Sequence, residues 1–340
     1  MTLDTPKPIV PIFDRPFLFY QLDLIRQVPE IDEVILSLNY RPDRIESRVG
    51  RGHETELPIR YVVEPHPLGT GGAIKFASHG IEDTILVFNG DVLTGINLNA
   101  VVQRHRARNA RATIVLTPVA NPSAYGLVET DDNDNVRRFV EKPKADEISC
   151  NTINAGIYVL EPDTFDRIPK DTPWSIERKY FPSLIERAET FVAHIDDGYW
   201  LDIGTPASYV QAHRDLMAQR CPAGPFAGRA EDFVYIASSG VVSPEADLRG
   251  PCYAGAGSVI DNGARVGPES VIGSGCTVGP GAVVERSILG PGTVLEREST
   301  VRDAVLGDGC RVAEHAHIGA GVILGRGSMV SAYSRIPGTE

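Results

Sequence analysis

Cysteine and tryptophan are scarce in this sequence, basic residues are outnumbered, and no long apolar run occurs. The five cysteines, Cys150, Cys221, Cys252, Cys276 and Cys310, are odd in number, far apart and without a Cys-x-x-Cys pair. That distribution argues against a disulfide framework and for reduced thiols in a cytoplasmic protein. No apolar stretch approaches the roughly 20 residues of a membrane span. The opening residues, Met1 to Pro8, carry no signal-peptide pattern. Lysine and arginine number 33 against 45 aspartates and glutamates, a formal net charge of −12. This excludes a general nucleic-acid binder or a protein held on anionic membranes. A small anionic ligand stays open, because local groups decide its binding. What is present, 42% hydrophobic and 23% charged residues over 340 positions, is ordinary globular composition and enough for two domains.

Two periodicities divide the chain. From residue 9 to about 218, short apolar runs alternate with amphipathic stretches. Glu33–Leu38, Ile59–Val63 and Thr84–Phe88 read as buried strands. Helices are expected from near Pro16, with Asp14 as a candidate cap, and from near Pro42, because proline suits a first helical turn. Strands alternating with helices predict a doubly wound, mainly parallel α/β sheet. Ligands of such sheets sit at the carboxyl ends of the strands, here the loops after Val63 and Phe88.

Residues 219–240 form a turn-rich linker around Cys221-Pro222-Ala223-Gly224-Pro225. Over 241–335 the period becomes six: Val242, Leu248, Ala254, Ile260, Val266, Ile272, Val278, Val284. A five-residue step reaches Leu289, then Leu295 and Val301; another reaches Leu306, then Val312, Ile318, Leu324 and Val330. Such a repeat predicts a parallel β-helix, whose strands bury their apolar side only by stacking.

Several strand ends carry candidate chemistry. Asp91, in Phe88-Asn89-Gly90-Asp91, offers a hard oxygen ligand for Mg²⁺; Asn-Gly-Asp is also an ordinary turn. Glu64-Pro65-His66-Pro67-Leu68-Gly69-Thr70-Gly71-Gly72 is a glycine-rich turn whose amides suit a base or a phosphate. Glu141-Lys142-Pro143 ends a strand with a lysine able to neutralise a phosphate. Asn154-Ala155-Gly156 offers amide contacts to sugar hydroxyls, or is a strand with a glycine for close packing. Asp202 offers a second carboxylate just before a helix that Thr205 would cap.

In this order, from Leu3 to about Met217, the motifs resemble the sugar-1-phosphate nucleotidylyltransferase family, which includes mannose-1-phosphate guanylyltransferases and often carries a left-handed hexapeptide β-helix. The resemblance implies a nucleotidyltransferase domain over 1–218. It implies transfer from a nucleoside triphosphate to a sugar 1-phosphate, with GTP and mannose 1-phosphate favoured by the Glu64-Pro65…Leu68-Gly69-Thr70 turn. Asp91 and Asp202 would bind the Mg²⁺. Lys7 would meet the nucleotide phosphates, and Glu64, Leu68, Gly69, Thr70 and Gly90 would hold the nucleotide. Lys142 would grip the phosphate of the sugar 1-phosphate, and Gly126, Glu141, Asn154 and Gly156 would hold the sugar. The β-helix would serve a homo-oligomer.

One departure qualifies this. The family's glycine-rich triphosphate loop, G-G-x-G-T-R-x-x-P-L-T, has no counterpart here; Thr2 to Pro8 match the family's residues immediately after that loop. The expectation is therefore weak or no transferase activity for these 340 residues. A late-assigned start, a non-catalytic regulatory or structural relative, and a separate peptide completing the sheet are the alternatives. Acyl transfer through His315 and His317 of the β-helix is a further reading, set against an ordinary surface role for both.

Overall fold

The computed structural model describes residues 5–52 and 56–338. They form two compact units: one spans Leu18–Asp202, and the other joins the described residues up to Phe17 with those from Ile203 onward.

The elements of the first unit, in chain order, are α1 (Phe17–Ile25), β1 (Val34–Leu38), α2 (Pro42–Val49), β2 (Ile59–Val63), α3 (Gly69–Ala77), β3 (Ile85–Phe88), β4 (Val92–Thr94), α4 (Leu98–Ala107), β5 (Ala112–Pro118), β6 (Gly126–Thr130), β7 (Val136–Glu141), β8 (Thr152–Leu160), α5 (Phe181–Glu186), β9 (Phe191–Ile195) and β10 (Trp200–Asp202). The expected strands and the helix at Pro42 are all found. β1 and β2 pair in parallel, as do β5 and β9. β8 is antiparallel to both β3 and β5, so those two share one direction with β8 reversed between them. The α/β class is as expected, but β1–β2 form a separate two-stranded parallel sheet, and in the six-stranded sheet of β3 and β5–β9 the strand β8 runs opposite to β3, β5 and β6, with the β6–β7 hairpin at one edge.

β8 is central because both of its faces are covered. Tyr158 and Leu160 join Ile114, Leu116, Phe181 and Phe191 on one side. Ile157 and Val159 join Val101, Val115 and Leu98 on the other. Side chains alternate across a strand, so two covered faces require an unbroken apolar run. Ile157 to Leu160 are each no more than 1% exposed.

The second unit contains the β-helix. From Val234 to Ile336, three six-stranded parallel sheets stack as six coils, each strand two or three residues long. The two five-residue steps read from the sequence fall where coils tighten, since Val271 pairs with Ile288 and Ile288 with Val305. The interior column includes Ile260, Val278, Leu295, Val301 and Val312, all at most 1% exposed. One outward ladder, Tyr253, Val271, Ile288 and Val305, is also buried. Beside it, Arg214 of α6 (Pro206–Met217) pairs with Glu269 at 3.1 Å and reaches Asp303 at 3.8 Å. α6 begins as predicted: Pro206 is its first residue, and Thr205 accepts from the Ser208 N–H at 3.1 Å.

Asp14 does not cap a helix. Its carboxylate accepts from the Ser274 N–H at 2.8 Å, the Ala256 N–H at 3.3 Å and the Tyr253 hydroxyl at 3.2 Å. The short turn between Ile12 and Arg15 aims it at the coils instead, where it satisfies corner amides. All five cysteines are free thiols. Burial pushes Cys252 and Cys276 up to about 12, which keeps them inert. No helix of the described residues is long and apolar enough to cross a membrane.

Candidate active site

The site is assembled at the ends of β3, β7, β8 and β10. β4 and β10 form a two-stranded antiparallel ladder in which Asp202 lies opposite Val92. Asp91 immediately precedes Val92, so the pairing brings Asp91 and Asp202 to one end of one ladder. Both line the same pocket. Gln21 of α1, 4% exposed, fixes this turn from behind by donating to the carbonyls of Asn89 at 2.9 Å and Val92 at 2.8 Å.

The sugar-side candidates come from an irregularity in β8. Its register with β5 shifts between Asn154 and Tyr158. A bulge of this kind re-aims side chains next to a site. Asn154 is set by two local bonds: its Oδ1 accepts from the Gly156 N–H at 2.9 Å, and its Nδ2 donates to the Tyr158 hydroxyl at 2.8 Å. Gly156 has φ +77°, and a Cβ there would stand 2.8 Å from Nδ2 of Asn89. Gly126 is required for a different reason: a Cβ would meet the Phe139 ring at 2.7 Å and Oε2 of Glu141 at 3.0 Å. Glycine is what lets the Glu141 carboxylate lie over β6.

The pocket is lined by Asn89, Asp91, Tyr125, Gly126, Glu141, Asn154, Gly156, Glu177, Trp200 and Asp202, among others. It therefore brings together six of the residues expected from the sequence: Asp91, Gly126, Glu141, Asn154, Gly156 and Asp202. Lys142 lies next to Glu141, exposed, with φ +52° and its N–H on the Tyr125 carbonyl at 3.0 Å. A non-glycine residue in that conformation is held there by its surroundings and is common at functional sites. Gly90 sits in the turn before Asp91 and is not part of the lining.

Glu64, Leu68, Gly69 and Thr70 form a separate cluster. Glu64 Oε2 accepts from the Leu68 N–H at 2.9 Å. The turn is knitted to residues 174–177: the Trp174 N–H donates to the Leu68 carbonyl at 2.8 Å, and the Trp174 carbonyl accepts from Gly71 and Gly72 at 2.8 and 3.2 Å. Those two glycine amides are therefore occupied within the protein. Lys7, in a short 3₁₀ turn of the other unit, is half-buried.

Four pocket residues escape a reading of the sequence. Asn89 and Tyr125 stand inside recognisable motifs without an assigned role. Trp200 likewise stands in the Tyr199-Trp200-Leu201-Asp202 motif without an assigned role, while Glu177 has no motif to flag it and becomes visible only when residues 174–177 fold against the Leu68 turn. Trp200 donates Nε1–H to the Ala155 carbonyl at 2.9 Å and meets Tyr125 edge-on, with ring centroids 5.4 Å apart. Burial, then the charge of Asp202, raises the Tyr125 phenol above its ordinary range. Burial, then the charge of Glu177, raises the Glu141 carboxyl.

No group of three or more His, Cys, Asp or Glu among the described residues is arranged to hold a metal. Asp91 and Asp202, which line the same pocket, could hold a divalent cation, since such an ion needs only one or two carboxylates when water and substrate phosphates complete its shell. Of the β-helix histidines, His315 stacks on Tyr333 at 4.8 Å and pairs with Glu298 at 3.2 Å, while His317 is exposed.

Comparison with known proteins identifies the family of the chain. Residues 1–219 match the nucleotidyl transferase family, and residues 248–338 match the GMPPB C-terminal domain. The mannose-1-phosphate guanylyltransferase of Mycobacterium tuberculosis is 39% identical over 271 residues, 79% of this chain and 72% of that protein. A UTP–glucose-1-phosphate uridylyltransferase of Synechocystis is 31% identical over 317 residues, 87% of this chain and 81% of that protein. The crystal structure of HddC from Yersinia pseudotuberculosis, also solved with GMP-PN, superposes with a TM-score of 0.55 at 29% identity over 63% of this chain and 91% of HddC. The chain belongs to the nucleotidyl transferase family, and the β-helix that follows in sequence is similar to the GMPPB C-terminal domain.

Proposed function

We propose that the protein transfers a nucleotidyl group from a nucleoside triphosphate to a sugar 1-phosphate, releasing pyrophosphate, with GTP and mannose 1-phosphate as the preferred pair. The observation that carries this reading is the meeting of Asp91 and Asp202 at one end of a ladder that opens into the pocket of Glu141, Asn154 and Gly156. The guanylyltransferase relatives support GTP and mannose 1-phosphate.

A divalent cation, Mg²⁺ in this proposal, would supply charge neutralisation at the phosphates when held by Asp91 and Asp202. The attacking sugar phosphate is already an anion, so no general base is needed. The chain's own residues act by placement. Lys142 neutralises the sugar phosphate from the strand end beside Glu141, and Lys7 neutralises nucleotide phosphate. Glu141 and Asn154 orient the sugar ring. Glu64 fixes the Leu68 turn, which faces the base.

The proposal extends to a cytoplasmic homo-oligomer. Free thiols throughout support the compartment. Ile323, Met329 and Tyr333, 46%, 78% and 68% exposed on the final coils, support self-association.

The test is pyrophosphate release across the four nucleoside triphosphates, each with mannose 1-phosphate and glucose 1-phosphate, in Mg²⁺. Release requiring both substrates, fastest with GTP and mannose 1-phosphate, supports the reading. Slow release is the expectation for these 340 residues; no release from any pair, together with no binding of nucleotide or sugar 1-phosphate, would overturn the reading. Light scattering of the full chain reports the oligomer; a monomer would remove that part.

A further inference from the structure

We propose that Glu177 is a second sugar-contacting carboxylate, opposite Glu141, and that its bond to Thr70 couples occupancy of the sugar pocket to the base-side turn. This deepens the function proposed above and rests on it.

Glu177 and Glu141 line the same pocket. Glu177 Oε2 accepts from the Ser175 hydroxyl at 2.7 Å and the Thr70 hydroxyl at 2.8 Å. Its Oε1 accepts no protein hydrogen bond among the described residues, and neither oxygen of Glu141 does. No lysine or arginine lines the pocket. Lys142 and Arg178 act on Glu141 only through their fields, and more weakly than burial and Glu177 do. Two half-buried carboxylates thus face one space with unused lone pairs and no cation between them. Such an arrangement is unfavourable unless an occupant supplies donors. A carboxylate can only accept, so the occupant must present O–H or N–H groups. A sugar ring does so on several sides.

The backbone at Glu177 is built for this placement. Residues Ile176–Tyr180 form a π-helical turn, closed by the Phe181 N–H on the Ile176 carbonyl. Such turns recur at functional sites. Ser175 caps the turn by accepting from the Arg178 N–H at 3.0 Å while its hydroxyl donates to Glu177. Thr70 is held from both sides, donating to Glu177 and accepting from the Ile176 N–H at 2.9 Å. A sugar hydroxyl donating to Oε1 of Glu177 therefore shares its acceptor with the turn that carries Leu68, Gly69 and Thr70. Sugar and base recognition meet on one carboxylate, and coupling between two sites is reciprocal.

Calorimetric titration of the full chain with mannose 1-phosphate, alone and with a non-hydrolysable GTP analogue plus Mg²⁺, tests this. Wild-type protein should bind the sugar phosphate several-fold more tightly when the nucleotide site is filled. Glu177→Gln should weaken sugar-phosphate binding about tenfold or more, the scale of a lost charge-assisted hydrogen bond, and should erase the nucleotide effect. Thr70→Val, at a residue also assigned to the nucleotide, should reduce the nucleotide effect, and Thr70→Ser, which keeps the hydroxyl on Glu177, should preserve it. Glu177→Asp, which retains the charge and is the less disruptive change, should fall between wild type and Glu177→Gln. Unchanged affinity in a folded Glu177→Gln or Glu177→Asp protein overturns this inference alone. Failure of wild-type protein to bind any sugar 1-phosphate overturns the proposed function with it.

Discussion

Phe13 donates its backbone N–H to Nε2 of His213 at 3.1 Å, joining residues 200 apart in sequence. The other ring nitrogen of His213 faces the Tyr209 carbonyl at 3.0 Å, so Nδ1 carries the proton and Nε2 is the acceptor. The Phe13 ring packs between His213, Phe226 and Tyr253, with centroids 5.2, 5.3 and 4.9 Å away. Burial pushes His213 down to about 4 from its ordinary 6.5. The histidine is folded in as a neutral acceptor, and protonating it would break the bond to Phe13.

Stability should therefore fall in acid. As pH drops below 6.5, the imidazole takes up a proton in the unfolded chain before it does so in the folded one. Its contribution is full above pH 6.5 and is lost as pH falls toward 4, about 3 kcal/mol across that window. His213→Leu should cost about 1–3 kcal/mol at neutral pH by stranding the Phe13 N–H. The gap between variant and wild type should close as pH drops to 4. Urea unfolding at a series of pH values measures both, and a gap independent of pH would contradict the assignment.

Asp14 anchors the same turn to the β-helix. Asp14→Ala removes an acceptor shared by Ser274, Ala256 and Tyr253. The expected loss is about 1–3 kcal/mol, together with faster hydrogen exchange at the Ser274 amide than at the buried ladder of Val271 and Ile288. Unchanged exchange at Ser274 would show that the contact holds nothing.

Gly156→Ala should damage both stability and the site. Its φ of +77° is strained for alanine, and the new Cβ would press on Asn89 at 2.8 Å. A cost of about 1–3 kcal/mol is expected, with a larger loss in sugar-phosphate turnover than in nucleotide binding, because Asn89 borders the pocket. An active variant with wild-type melting would refute the role given to this bulge.

The fold is legible where periodicity is unambiguous. Six-residue spacing marks the β-helix down to its two short steps, because each coil repeats one packing problem. Apolar runs mark β1, β2 and β3, because buried strands leave little choice of residue. The site is legible where a strand ends in an acidic or amide residue, as at Asp91, Glu141, Asn154 and Asp202. Asp14 is misleading because a carboxylate upstream of a helix has the look of a cap, and only the tertiary fold shows that Ser274 is its partner. Gln21 and Glu177 are invisible for a related reason. Their partners, the turn at Asn89 and the hydroxyl of Thr70, lie 68 and 107 residues away, and nothing local marks such residues.

Cation binding at the paired carboxylates is the most direct test of the proposed chemistry. Electron paramagnetic resonance of Mn²⁺, titrated against the full chain with GTP and mannose 1-phosphate, reports free and bound ion without requiring turnover. Wild-type protein should form a bound Mn²⁺ signal that Mg²⁺ displaces, and Asp91→Asn and Asp202→Asn should each weaken it by roughly tenfold or more, as expected when one of two carboxylate ligands is lost. Equal Mn²⁺ binding in wild type and in the Asp91→Asn/Asp202→Asn double variant would contradict the claim that these two residues hold the reacting phosphates' cation.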